Sequence, residues 1–437
     1  MPRRVATESD GVPIMEGFDP LSPEYLADPK AFLARAQKEC PVFYYPPLDF
    51  WVVTRYDDIE RVLKDWETFS SRAFRAVPVP PELRDRIPAE QQQIPESIIT
   101  RNFINLDPPA HTVERRSAQK AFTRKLIADS EGLIRQVANE LIDGFIDAGR
   151  CDLMKDFSYK LSLRVIVEMI GLPAETMPQF RDWIDDFFSL MAPANLREDE
   201  PADVLPIGEI EERYARVAEA YEFFVEFLAQ RRVDPRDDLA TAMILAVNDD
   251  GTPAMTDTQV IAHLLEITAA GSDTTANLIG RMVWLFTQRP ELLGELREEP
   301  ALWERAIEEG LRWAVITTHL FRIATRDVEV GGVMIPAGSK VSAPAPAANV
   351  DEARFPDPFT YDLHRSNASQ HLAFGGGRHL CLGAPLARLE GRAALQELYR
   401  RIPDLAADLD QELECVTAIT TPAVKSMTVS WAGSDND

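Results

Sequence analysis

The sequence predicts a mainly α-helical protein with a smaller β region. Three observations lead to that class. Apolar residues recur at helical spacing through most of residues 56–313, as in "EGLIRQVANELIDGFIDA". Aromatic and β-branched residues crowd one short early segment, and alternating stretches with glycine turns appear only after Trp313. With 437 residues, 45 % of them hydrophobic, the chain has ample material for a large core. The expected organisation is an extended lead-in over residues 1–20 and a single domain over 21–437.

In chain order, "PVFYYPPLDFWVVTRY" reads as a strand pair broken by prolines. Two proline-rich segments interrupt the helices that follow. "AVPVPPELRDRIPAEQQQIPESIITRNFINLDPP" and "APANLREDEPADVLP" read as irregular, either plain surface connections or loops over a binding site. "MTDTQVIAHLLEITAAGSDTTANLIGRMVWLFTQRP" predicts a helix of about thirty residues, with Thr256 and Gln259 as a capping box and Pro290 beyond its end. Inside it, small Ala270 and Gly271 adjoin polar Asp273, Thr274 and Thr275, a combination that weakens a helix locally and lets it bulge. "TRDVEVGGVMIPAGSKVSAP" predicts a small antiparallel sheet, and the tail "AITTPAVKSMTVSW" a further hairpin.

A formal net charge of −25 argues against nucleic acid and anionic membrane as partners. One segment runs the other way: "HTVERRSAQKAFTRK" carries Arg115, Arg116, Lys120, Arg124 and Lys125. It is either an ordinary solvated helix face or a strip that steers an acidic partner. The four cysteines have no CxxC spacing, so a disulfide scaffold or zinc site is not expected. The N-terminus lacks the apolar run of a signal peptide, and no run of about eighteen apolar residues occurs. A soluble, cytoplasmic monomer is expected.

The segment most loaded with chemistry is "FGGGRHLCLG", Phe374–Gly383. The amphipathic stretch "LGAPLARLEGRAALQELYRRI" starts directly after Cys381, with Pro385 near its beginning. A helix N-terminus stabilises a thiolate. Gly375, Gly376 and Gly377 allow left-handed turns that would aim backbone N–H groups at the sulfur, and Gly383 leaves room for a flat object. Haem fits that description, because cysteine thiolate is one of its few protein ligands. The alternative is a small buried cysteine of no chemical consequence.

The ten residues resemble the haem-binding loop of the cytochrome P-450 family, Phe-x-x-Gly-x-(Arg/His)-x-Cys-x-Gly, at every fixed position. Four further motifs follow the family's order: "LDPPAHTVERR", "AAGSDTT", "EEGLR" and "FPDPFTYDLHR". The resemblance covers residue 20 to the end. It implies the cytochrome P-450 fold, with haem between the long central helix and the cysteine-loop helix. It also implies haem b held by Cys381, with Phe374, Gly375, Gly383, Ala270 and Gly271 around it and His111, Arg115, Arg322 and His379 on its propionates. His111 remains open to being a satisfied core histidine. Asp273 and Thr274 are implied as the proton-delivering pair of the oxygen side, Asn277 as a support for the opened helix, and Glu309, Arg312 and Arg365 as a structural ion network.

For the substrate pocket the resemblance implies Ile98, Ile99, Phe103, Ile267, Ala269, Ala270, Thr274, Ile316, Thr317, Leu320, Ile419 and Thr420, with Phe187, Phe188, Leu190 and Met191 as a roof. Two departures from the family's pattern are present: Glu266 where an aliphatic residue is common, and Ile316 where a proline is. Glu266 either meets a hydroxyl or amine of the substrate or turns away to a neighbouring helix. The expected function is a haem-thiolate monooxygenase that inserts one oxygen atom from O2 into a C–H bond of a small to medium, mostly apolar substrate. Hydroxylation or oxidative O-demethylation of a terpenoid, aromatic or steroid-like molecule would fit, with electrons from an acidic ferredoxin and its NAD(P)H-dependent reductase. The rival readings are a peroxide-driven peroxygenase and a non-catalytic haem sensor or ligand carrier.

Overall fold

The computed structural model describes residues 11–193, 206–248 and 250–432. The acidic segment "APANLREDEPADVLP" lies almost entirely outside the described residues. The chain divides into two compact units, one built from residues 1–70, 129–162 and 272–437, the other from 71–128 and 163–271. Among the described residues, no helix is long and apolar enough to cross a membrane.

The first unit carries the larger share of β structure. The expected early strand pair forms as Val42–Tyr45 and Phe50–Val53, antiparallel, with Pro46–Leu48 turning between them. A five-stranded sheet continues through Lys340–Pro344, parallel to Phe50–Val53, then His319–Ala324 and Phe69–Ser70, both antiparallel. Val328–Val330 and Val333–Ile335 make the hairpin predicted from the glycine pair. The helical core of this unit is built from Trp303–Trp313, Ala384–Arg401 and the second half of the helix Asp257–Gln288. Phe286 stands edge-on to both Trp303 (6.0 Å) and Tyr399 (5.7 Å), locking the three helices together.

In the second unit, the long helix Ile207–Val233 packs against Met177–Ser189, Ala89–Ile99 and Leu239–Ile244. Phe180, Trp183, Phe223 and Phe224 form its aromatic seam. Asp186, nearly fully buried, is paired by Arg213 (3.2 Å) and Arg216, which ties the end of Met177–Ser189 to the long helix.

Three local expectations are corrected. The segment expected to be irregular ahead of the basic strip contains an eleven-residue helix, Ala89–Ile99, with Pro95 inside it. The helix is held by burial of Ile98 and Ile99, which outweighs the lost backbone bond at the proline. The tail is no simple hairpin: Cys415 and Val424 make an isolated bridge, and Thr428–Ser430 pairs with Arg150–Asp152 and Ala406–Ala407 instead. The central helix runs unbroken over Asp257–Gln288, so its small and polar residues do not interrupt it. Its predicted start is as drawn, with Thr256 N–H donating to Gln259 Oε1 at 2.7 Å.

His319, at the start of the strand His319–Ala324, is buried between Tyr25 and Phe321 and bonded to the Tyr25 hydroxyl (3.1 Å) and Ser342 Oγ (2.6 Å). Burial, helped by nearby Lys340, pushes its pKa down from 6.5 to about 3. The unfolded chain therefore binds a proton between those pH values that the folded chain refuses. Stability should fall by about 1.4 kcal/mol for each pH unit crossed on acidification from 6.5 toward 3. Urea midpoints measured across that range should decline more steeply for the native chain than for His319→Phe.

Candidate functional site

In the first unit the segment Phe374–Gly383 forms a tight loop ahead of Ala384–Arg401, with Pro385 in the first turn as expected. Cys381 N–H donates to the Phe374 carbonyl at 3.0 Å and Gly375 N–H to that of Leu372 at 2.9 Å, which folds the loop back on itself. Gly375 and Gly377 both take positive φ, 69° and 64°. At Gly377 space is decisive as well, because a Cβ there would lie 2.6 Å from the Leu63 carbonyl oxygen. The result presents Cys381 exposed, with Gly383 close to its sulfur: a Cβ at that glycine would stand 4.0 Å from Sγ.

A group that sequence reasoning missed braces this loop. Arg388, one turn into the following helix, lies over the Phe374 ring at 4.6 Å and forks onto Glu308 at 2.7 and 2.8 Å. His371 Nε2 lies 3.3 Å from the same carboxylate. Burial works to raise the pKa of Glu308, but Arg388 and His371 outweigh it and hold the carboxyl at about 2. The sequence signal was available in principle: Glu308 directly precedes the motif glutamate, and Arg388 sits seven residues after Cys381.

Glu309, Arg312 and Arg365 come together. Arg312 donates to both Glu309 oxygens at 2.7 and 2.8 Å, and Arg365 Nε to Oε1 at 2.9 Å. The remaining guanidinium donors reach the carbonyls of Asn349, Pro356, Asp357, Pro358 and Thr360. Arg322 is buried on its strand, with Nη1 donating to the Phe321 carbonyl, and His379 is half-buried. Asp273 and Thr274 are half-buried on the central helix, Thr275 is buried, and Ser272 Oγ contacts Asp273 Oδ1 at 3.4 Å. Asn277 does not serve its own helix. Its amide donates to the Val315 (3.4 Å) and Pro422 (3.1 Å) carbonyls and so ties the segments around those two residues to the helix. Those segments are also joined to each other, since Thr318 donates to the carbonyls of Ile419 and Thr420 at 2.6 and 2.8 Å. Ile316 is buried and Thr317, Leu320, Ile419 and Thr420 half-buried along them.

In the second unit, His111 and Arg115 lie one turn apart on Ala110–Ala121, His111 buried and Arg115 half-buried. Arg116 and Lys120 face solvent and line a shallow cleft of about 310 Å³ with Val113 and Asp250. Arg124 and Lys125 are exposed as well. Ile98, Ile99, Phe103, Ile267, Ala269, Phe187 and Leu190 are buried, while Ala270 and Phe188 are exposed and Gly271 and Met191 half-buried.

Glu266 is where the structure departs furthest from the reading that it meets substrate. Its oxygens accept the backbone N–H groups of Phe103 (2.6 Å) and Ile104 (3.1 Å), so the carboxylate is committed to the chain itself. Behind it stands His263, whose Nδ1 lies 3.8 Å from Glu266 and whose Nε2 lies 2.7 Å from Glu114; Gln259 donates to the other oxygen of Glu114. Burial alone would lower the His263 pKa, but hydrogen bonds to Glu114 and Glu266 reverse this and raise it. The Phe103 ring stacks flat on the imidazole, centroids 3.6 Å apart and 3° from parallel.

An exposed cysteine at a helix start, offered by a glycine loop, is a donor set that suits haem iron, and the buried arginine on the neighbouring strand suits an anionic propionate. Fold and loop together define a haem-thiolate protein. The family model described as cytochrome P450 matches residues 30–402. A Bacillus subtilis protein named as a cytochrome P450, YjiB, is 34 % identical over 87 % of each chain. A vitamin D(3) 25-hydroxylase of Pseudonocardia autotrophica is 31 % identical over 90 % of each. Among solved structures, CYP109E1 from Bacillus megaterium in complex with testosterone is 26 % identical at a TM-score of 0.80, with 94 % of this chain and 99 % of that one covered. The chain belongs to the cytochrome P450 family and is an oxidoreductase of the monooxygenase type, with haem-thiolate iron and O2.

Arg312→Leu should cost about 3–5 kcal/mol, because it leaves Glu309 charged, buried and short of its closest partner. Chemical denaturation of the haem-loaded protein is the measurement; a loss under about 1 kcal/mol would remove the network's structural role.

Proposed function

We propose that this chain is a haem b monooxygenase that hydroxylates or oxidatively demethylates a small to medium, mostly apolar molecule of steroid-like or terpenoid shape. The observation that carries the reading is Cys381, exposed just before Ala384–Arg401 with Gly383 close to its sulfur. Bound there, haem supplies activation of O2, and thiolate donation favours O–O cleavage. The chain's own residues do the rest. His111, Arg115, Arg322 and His379 hold the propionates as hydrogen-bond donors. Thr274 Oγ1 holds a water on the oxygen side, and Asp273 passes protons toward it from solvent, for which its half-buried setting is suited. Buried Ile98, Ile99, Phe103, Ile267 and Ala269, together with Ile316, supply apolar wall, which excludes water and favours apolar ligands. The names of two relatives, a vitamin D(3) hydroxylase and a testosterone complex, favour the steroid-like class over a small aromatic.

Electrons come from an acidic ferredoxin. Exposed Arg116 and Lys120 beside exposed Val113 support this, since a cationic rim around an apolar spot on a chain of net charge −25 selects an anionic partner. The half-buried Asp-Thr pair favours O2 over added peroxide as the oxidant and catalysis over ligand carriage. The assignment to the cytoplasm follows from the same partner set.

Cys381→Ala should abolish turnover and the thiolate-type Soret band of the reduced CO complex; retention of both would end this reading. Reversing Arg116 and Lys120 to glutamate should weaken ferredoxin binding by at least tenfold at low salt and much less at high salt. Equal affinity for native and reversed protein at low salt would remove the docking strip.

A further inference from the structure

One carboxylate closes the base of the cysteine loop. Glu308, on the helix Trp303–Trp313, takes the guanidinium of Arg388 in a fork at 2.7 and 2.8 Å. Its Oε1 also meets His371 Nε2 at 3.3 Å, a close contact but not an aligned hydrogen bond. His371 Nδ1 accepts the Ala373 N–H at 3.1 Å, which leaves the ring's proton on Nε2, beside the carboxylate. His371 stands just before Phe374–Gly383 and Arg388 just after it, so both feet of the loop rest on one side chain.

Arg388 reaches the loop directly as well. Its guanidinium lies over the Phe374 ring at 4.6 Å, and Nη1 donates to the Ala384 carbonyl at 3.5 Å. The Phe374 carbonyl in turn accepts the Cys381 N–H at 3.0 Å. A continuous chain of contacts thus runs from Glu308 through Arg388 and Phe374 to the backbone of Cys381. The Glu308 side chain is only 18 % exposed, so stripping it of its partner costs more than breaking a pair on the open surface. We propose that Glu308 and Arg388 are positioning residues for the iron's ligand: by closing the loop at its base they hold the Cys381 backbone, so that the sulfur stays on the iron as thiolate. This rests on Cys381 being that ligand. Both residues act through Phe374, and neither takes part in the oxygen chemistry.

The test uses haem-loaded protein and two readouts, amide exchange and the reduced-CO spectrum. Glu308→Gln and Arg388→Leu should each speed exchange of the Cys381 amide about tenfold. Exchange at Leu395 and Leu398, buried farther along the following helix, should change by less than about twofold. Each variant should also lose part of the thiolate-type Soret band. Combining the two substitutions should add little to either alone, because the side chains act as a unit. Arg388→Lys keeps the charge but cannot fork, so it should fall between native and Arg388→Leu, and it replaces the leucine variant if that takes up no haem. Exchange rising equally at Cys381 and Leu398 would mark a general loss of stability and overturn the positioning role. A full thiolate band in both single variants would overturn it too, while leaving Cys381 as the ligand. Absence of that band from the native protein would overturn both.

Discussion

Glu309 accepts hydrogen bonds from two arginines in an interior where a lone carboxylate would be heavily penalised, and those arginines collect five backbone carbonyls from residues 349–360. The residue just before it, Glu308, faces the other way and grips Arg388, which lies across Phe374. One turn of the helix Trp303–Trp313 thus braces both the irregular segment before the cysteine loop and the loop itself. The loop has few side chains with which to hold its own shape. Its rigidity is imported through this pair of adjacent carboxylates, and the position of Cys381 depends on them.

The second unit solves a related problem with the same residue types. Glu114, His263 and Glu266 form a buried chain that ends on two backbone N–H groups of a turn. Hydrogen bonds to the two carboxyl groups raise the histidine's proton affinity against the burial that would lower it.

Much of this was legible from residues alone. The central helix announced itself through its capping box and following proline, the early strand pair through its aromatic and β-branched run, and the cysteine loop through its glycines. What could not be read shares one trait, dependence on partners distant in the chain. Thr428–Ser430 finds its strands at Arg150 and Ala406. Ala89–Ile99 is helical despite Pro95 because its apolar end is buried. Glu266 sits on a helix as a carboxyl residue that could face either substrate or protein, and only the turn at Phe103 decides.

The contact between Gly377 and the Leu63 carbonyl bears on how this protein can be engineered. Saturation mutagenesis of the cysteine loop would meet a wall at that position, because side chains of every size begin with the same carbon. Exposed Arg378 and Leu380, immediately beyond it, carry no such restriction. Laboratory evolution of the redox behaviour would therefore proceed along the solvent rim of the loop, while its spine stays fixed.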